Sequence, residues 1–238
     1  YRTRRKNWRI MKLGLGLNLS NKVGGWTPAN ISSLIHWYRF DTGITQEEDN
    51  DVTAWNDQKG SNNLTSTGVS SASPTYSSGA VLFNASNDIL TFGSSLDLTT
   101  FAIYARIECA SFSGDFLFEE TSQEFIKIHD ANNIRMKIQN GSRHDVTGLS
   151  LSADTKFNIG VEREDTADTN DDQIFVFINN DSKSIGGGGG GTQFINQQLE
   201  ITTLGQPADD VKFYEVVICN NALSASDRSN LNTYLNKI

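Results

Sequence analysis

The stretch that most restricts the fold is the closing run VKFYEVVICNNALSASDRSNLNTYLNKI, from Val211 to Ile238. Val216 to Cys219 is apolar at every position, which predicts a central strand covered on both faces. A two-Asn turn follows. Ser224 and Asp227, three residues apart, predict a helix N-cap in which both side chains satisfy free backbone donors. Leu231, Tyr234, Leu235 and Ile238 then fall at i, i+3, i+4 and i+7, one apolar stripe on a short helix. No other stretch carries a comparable helical pattern.

The rest of the chain from Ile31 onward reads as strands. Phe101–Cys109 alternates Phe101, Ile103, Ala105, Ile107 and Cys109 against Tyr104, Arg106 and Glu108, the period of a half-buried strand. Leu34–Phe40, Asp115–Glu119, Lys156–Arg163, Gln173–Asn179 and Leu199–Thr203 are further strands. Ala80–Asn84 with Asp88–Phe92, and Glu124–His129 with Ile134–Gln139, are expected to form hairpins. About a dozen short strands at this spacing argue for a closed barrel or a two-sheet sandwich. No repeat of fixed period points to a propeller or solenoid.

The 238 residues suffice for one large β domain with a generous core. No apolar run approaches the ~20 residues of a membrane-spanning helix, so no membrane partner is expected. Net charge is −8, divided unevenly. Residues 1–22 carry seven basic residues and no acid, which leaves thirteen bases against 28 acids in the remainder. An acidic body repels phosphate and argues against nucleic acid as the main ligand. Cys109 and Cys219 make no disulfide scaffold; they read as two buried thiols or as a single bridge. The chain begins at Tyr1 and has Met11 nearby; processing, missing upstream residues and a start at Met11 all fit that beginning.

Residues 1–30 read as an attachment arm preceding the sandwich of residues 31–238. Arg2, Arg4, Arg5, Lys6 and Arg9 supply charge, and Trp8 with the alternating Leu13, Leu15 and Leu17 supplies apolar anchors. A solvated tail is the plainer reading of a terminus. The anchors favour instead an arm that adds a strand to a neighbour and lays arginines on an acidic surface.

The segments SLIHWYRFDTGIT, AWNDQKGSNNLT, GAVLFNASNDILTFG and FYEVVICNNALSASDRSNLNTYL occur in an order that resembles the concanavalin A-like, laminin-G-like jelly roll, as carried by structural proteins of tailed marine bacteriophages. The resemblance spans residues 31–238. It implies an all-β, two-sheet antiparallel jelly-roll sandwich with one short C-terminal helix and an extended N-terminal arm, and a structural role for Glu215. Calcium is the usual ion of that fold family, and no cofactor is required.

Candidate sites are few. Trp55 and Asp57 together suit stacking and hydrogen bonding to a sugar, although such a Trp more commonly packs in a core. Asp168, Asn170 and Asp172 have the alternate spacing of a calcium loop, but Gln173 stands where that loop needs Gly and Asn179 where it needs Glu. Glu162-Arg163-Glu164-Asp165 and Glu119-Glu120 do not reproduce the paired-carboxylate spacing of glucanases with this fold, and His36, His129 and His144 have no triad partners. The six glycines Gly186–Gly191 lack the Lys-Ser/Thr of a phosphate loop.

These readings lead to an expectation of a non-enzymatic phage virion protein, a decoration module attached to capsid or tail through its basic arm. Its expected partners are other virion proteins, its location the virion assembled in the host cytoplasm. The alternative is a carbohydrate-binding, lectin-like module that adheres to host surface glycans. A polysaccharide hydrolase ranks third.

Overall fold

A computed structural model describes residues 25–238 except 48, 67–72, 86, 122–123, 139–143, 165–173, 184–197 and 206–209. Two antiparallel sheets face each other. The first, of eight strands, holds β1 (Leu34–Arg39), β5 (Thr75–Ser77), β6 (Ala80–Phe83), β8 (Phe101–Cys109), β13 (Phe157–Arg163), β14 (Ile174–Ile178), β15 (Asp181–Lys183) and β17 (Val211–Cys219). The second, of nine, holds β2 (Ile44–Gln46), β3 (Val52–Trp55), β4 (Leu64–Thr65), β7 (Ile89–Leu98), β9 (Asp115–Thr121), β10 (Glu124–Asp130), β11 (Asn133–Lys137), β12 (His144–Thr147) and β16 (Leu199–Gly205). A helix, α1 (Ala225–Leu235), closes the chain. The fold is the expected jelly-roll β-sandwich.

The closing strand is central, as its unbroken apolar run requires. β17 pairs with β8 along one side; on the other, Val211–Phe213 pairs with β6 and Glu215–Cys219 with β1. Its two faces feed two cores. Val211, Phe213, Val216 and Ile218 enter the inter-sheet core with Ile103, Ala105 and Ile107 of β8. Val217 and Cys219 point the other way and pack with Ala102, Tyr104, Trp37, Leu231 and Leu235 beneath α1. Leu231 and Leu235 are fully buried, and Tyr234 and Ile238 flank them, so the apolar stripe of the helix lies where its period puts it.

The helix cap forms by half of the expected exchange. Ser224 Oγ accepts from the Asp227 N–H at 3.1 Å, but the Asp227 carboxylate takes the Ser224 hydroxyl at 2.8 Å rather than a backbone donor. The cysteines are two buried thiols, not bridged to each other. Cys109 lies in the inter-sheet core and Cys219 in the core under the helix, on opposite faces of the same sheet.

One hairpin is as expected and one is not. β10 and β11 pair across a short turn. The segments around 80–92, however, belong to different sheets: β6 pairs with β5 and β17, while β7 pairs with β16 and β4. Between them Asp88 Oδ2 accepts from the N–H groups of Asn84 and Ala85 at 2.9 and 3.1 Å, closing a corner that carries the chain from one sheet to the other. Period-two alternation fixes which side chains face the core, not which sheet a strand joins.

Candidate functional site

Trp55 and Asp57 do not form a sugar platform. The Trp55 ring is fully buried, its Nε1 donates to the Arg39 carbonyl at 2.7 Å, and it meets Tyr38 edge to face at 5.9 Å. No ring face is left for a ligand. Asp57 is instead a structural hub. Its Oδ2 lies 2.7 Å from His36 Nδ1, and its Oδ1 accepts from the N–H groups of Trp37 and Lys59 at 3.0 Å each. Burial pushes the Asp57 carboxyl up, but the bonds from His36 and from the backbone of Trp37, Lys59 and Gly60 outweigh it and hold the group at about 2. Gly60 is needed here because a Cβ would come within 2.7 Å of Asp57 Oδ2 and 3.0 Å of the Ile35 carbonyl.

The arm residues Arg2, Arg4, Arg5, Lys6, Trp8, Arg9, Leu13, Leu15 and Leu17 lie outside the described residues, as do Asp168, Asn170 and Asp172. Among the described residues, no group of three or more His, Cys, Asp or Glu side chains is arranged to hold a metal ion, and no helix is long and apolar enough to cross a membrane.

The acids singled out in β13 and β17 serve the helix. Glu162 is fully buried. Arg228 on α1 meets it with two parallel bonds of 2.9 Å, the Tyr104 hydroxyl donates to the same carboxylate, and the guanidinium stacks over Phe177 at 4.1 Å. Glu215, also fully buried, accepts the Trp37 indole N–H at 2.6 Å, while its Oε2 has no hydrogen-bond partner among the described residues. Burial pushes its carboxyl up to about 7, against the pull of Trp37, Tyr234 and Arg39. A third polar cluster sits under the last helical turn, where the Asn158 side chain bonds Asn232 and Asn236 at 2.6 and 3.0 Å and accepts from Arg106 at 3.1 Å.

One concave feature among the described residues is a cleft of about 210 Å³ between the 149–156 loop and the β14–β15 hairpin. Backbone bonds tie the loop down: Leu149 and Leu151 donate to the carbonyls of Asn132 and Ala131, and Asp154 to that of Cys109. Ser150 and Asp154 hold φ of 56° and 54°, and Asn179 and Asn180 hold 51° and 73°. The paired asparagines make the tight hairpin turn whose twist suits the flanking strands. Ser150 and Asp154 adopt a conformation that non-glycine residues rarely take, and such positions concentrate at binding sites. Leu151, half-buried, brings apolar surface to the cleft, over a buried floor of Leu149, Phe157 and Ile178. Ser150, Ser152, Thr155, Asp181 and Lys183 supply hydroxyls, a carboxylate and an ammonium. Lys156 contributes to the wall, with its ammonium 3.9 Å above the Tyr214 ring and 3.5 Å from the Ile238 carbonyl.

Nothing in the residue pattern announced this cleft. The one available signal was Asn179-Asn180 between Ile178 and Asp181, a pair whose tolerance of positive φ marks a tight turn.

No protein-family model matches the chain, and no curated protein matches it in sequence. In three dimensions it is similar to Trypanosoma rangeli sialidase, with a TM-score of 0.55 at 12% identity over 85% of this chain and 33% of the sialidase. It is similar also to the ligand binding domain of botulinum neurotoxin serotype D in complex with N-acetylneuraminic acid, at 0.53 and 12% over 85% of this chain and 51% of that one. The binding domain of botulinum neurotoxin DC in complex with SialylT gives 0.51 and 14% over 86% and 52%. The chain thus spans a third to about half of the length of these proteins. None of these three is a virion protein. The expectation of a non-enzymatic chain is overturned, because sialidases, which are enzymes, stand among the structures it resembles. What the likeness establishes is the fold: a two-sheet jelly-roll sandwich of the kind that occurs in sialidases and in sugar-bound toxin domains.

Proposed function

We propose that the chain acts as a carbohydrate-binding, lectin-like module that seats one sugar ring in the cleft between the 149–156 loop and the β14–β15 hairpin. The observation that carries this reading is the cleft's composition. The half-buried Leu151 side chain lies beside hydroxyl, carboxylate and ammonium groups, which suits the C–H face and the hydroxyl edge of a pyranose. At about 210 Å³ it is smaller than the ~300 Å³ at which drug-sized sites begin, a scale suited to a single ring. Sugar-bound structures among those with this fold add support. Host surface polysaccharide is the proposed ligand class, and calcium the ion to test beside it.

A glycan array followed by calorimetric titration, with calcium and with chelator, tests the reading. Selective binding that falls at least tenfold in Asp181→Ala and in Lys183→Ala is the expected result. An array with no selective binding, or affinity untouched by both changes, overturns it.

A further inference from the structure

The contacts around Glu215 go beyond fastening the helix. Glu215 lies on β17 at the seam between the sheet and α1, fully buried, with one carboxylate oxygen bonded to Trp37 and the other without a partner among the described residues. The groups that face it come from every neighbouring element. β1 brings Trp37 and Arg39, the latter its register partner, with Asp41 just beyond; β8 brings Arg106 opposite in register; α1 brings Tyr234. The cations are engaged elsewhere: Arg39 pairs with Asp41 at 2.8 Å and Arg106 with the amide oxygens of Asn158 and Asn236. A charged Glu215 therefore has only the Trp37 indole and the Tyr234 hydroxyl to stabilise it and little solvation, a costly state for a buried carboxylate.

Tyr234 links this carboxyl to the last helical turn. Trp26 and Trp37 both pack edge-on against the Tyr234 ring, at 6.4 and 6.3 Å. On the same turn Asn232 and Asn236 bond Asn158, and Ile238 accepts from Lys156. Lys156 and Phe157, immediately before Asn158, line the cleft.

We propose that Glu215 is a proton-operated latch: when it holds its proton the last turn of α1 is clamped to the sheet, and when it ionises that turn and the 149–157 wall of the cleft loosen together. The raised carboxyl, about 7, sets the operating range near neutral pH. The linkage to the cleft rests on the glycan-binding reading for its purpose but not for its test. Each side of the seam is a discrete packed contact that the ionisation biases, which gives the coupling a physical route.

Amide hydrogen exchange on the ligand-free full chain, corrected for the intrinsic effect of pH, decides the matter. Protection of residues 225–235 and 149–157 is expected to fall at least fivefold between pH 5.5 and 8.5 in the wild type and to stay level in Glu215→Gln. Equal protection across that range, or the same profile in the variant, overturns the latch; loosening of the helix alone overturns the link to the cleft. If Glu215→Gln does not fold, the carboxyl resonance of Glu215 in the wild type is followed by NMR: a midpoint between 6 and 8 supports the latch, and one below 5 overturns it. Because no glycan enters the experiment, its failure leaves the glycan-binding reading standing, and an empty glycan array leaves the latch standing.

Discussion

The indole of Trp37 donates to the carboxylate of Glu215 at 2.6 Å, joining β1 to β17 under the C-terminal helix, with both residues buried. A strand near the start of the described chain and one near its end thus share the polar seam on which α1 rests. The first prediction follows from the state of that carboxyl. Its folded value is raised from the ordinary 4.5 to about 7, so the folded state holds a proton that the unfolded chain has lost. This group's contribution favours folding below pH 4.5 and is lost as pH rises through 7, by roughly 2–4 kcal/mol. Thermal melts at pH 5.5 and 8 are expected to show Glu215→Gln gaining stability over the wild type at the higher pH. A variant less stable at pH 8 would contradict this.

Asp57 has the opposite sign. Its folded value is lowered from 3.8 to about 2, so it stabilises the fold above pH 3.8 and that help disappears as pH falls toward 2. Asp57→Asn is expected to cost about 2 kcal/mol at pH 7 and little near pH 2, read from urea unfolding at both.

The Arg228–Glu162 pair is buried on the acid's side and bidentate. Arg228→Ala strands a charge with no water around it and is expected to cost about 3–5 kcal/mol. Arg228→Ala with Glu162→Gln is expected to cost clearly less than the two single changes together. Additive losses in that cycle would mean the pair is not coupled.

Gly160 on β13 carries the same seam. A Cβ there would stand 2.1 Å from the Tyr104 ring, whose hydroxyl bonds Glu162. Gly160→Ala is expected to displace Tyr104 and lower stability by about 1–3 kcal/mol, measured by chemical unfolding.

How much of this was legible in the residues follows a physical line. The closing strand and helix were, because a run apolar on both faces and a 3.6-residue stripe each demand one environment; β8 and β17 begin and end where their patterns do. β2, β4 and β15, of two or three residues, are too short to show any period. The sheet exchange between β6 and β7 was hidden because both strands alternate alike and the decision lies with distant partners on β17 and β16. The roles of Glu162 and Glu215 needed partners 66 and 178 residues away, beyond any local pattern. Trp55 and Asp57, adjacent enough in sequence to suggest a sugar site, point into the interior because β3 packs its Trp on Tyr38. The cleft rests on backbone shape at Asp154 and at Ser150, the latter a residue type that gives no notice of positive φ.

The cleft beside Asp181 and Lys183 is the proposed seat of the sugar. Calorimetric titration of the folded chain with the best array glycan tests it most directly, with Asp181→Ala alongside. Saturable one-site binding by the wild type is expected, at least tenfold weaker in a variant whose melting temperature is unchanged. Equal affinity in the two proteins, or no heat of binding from the wild type, would contradict it.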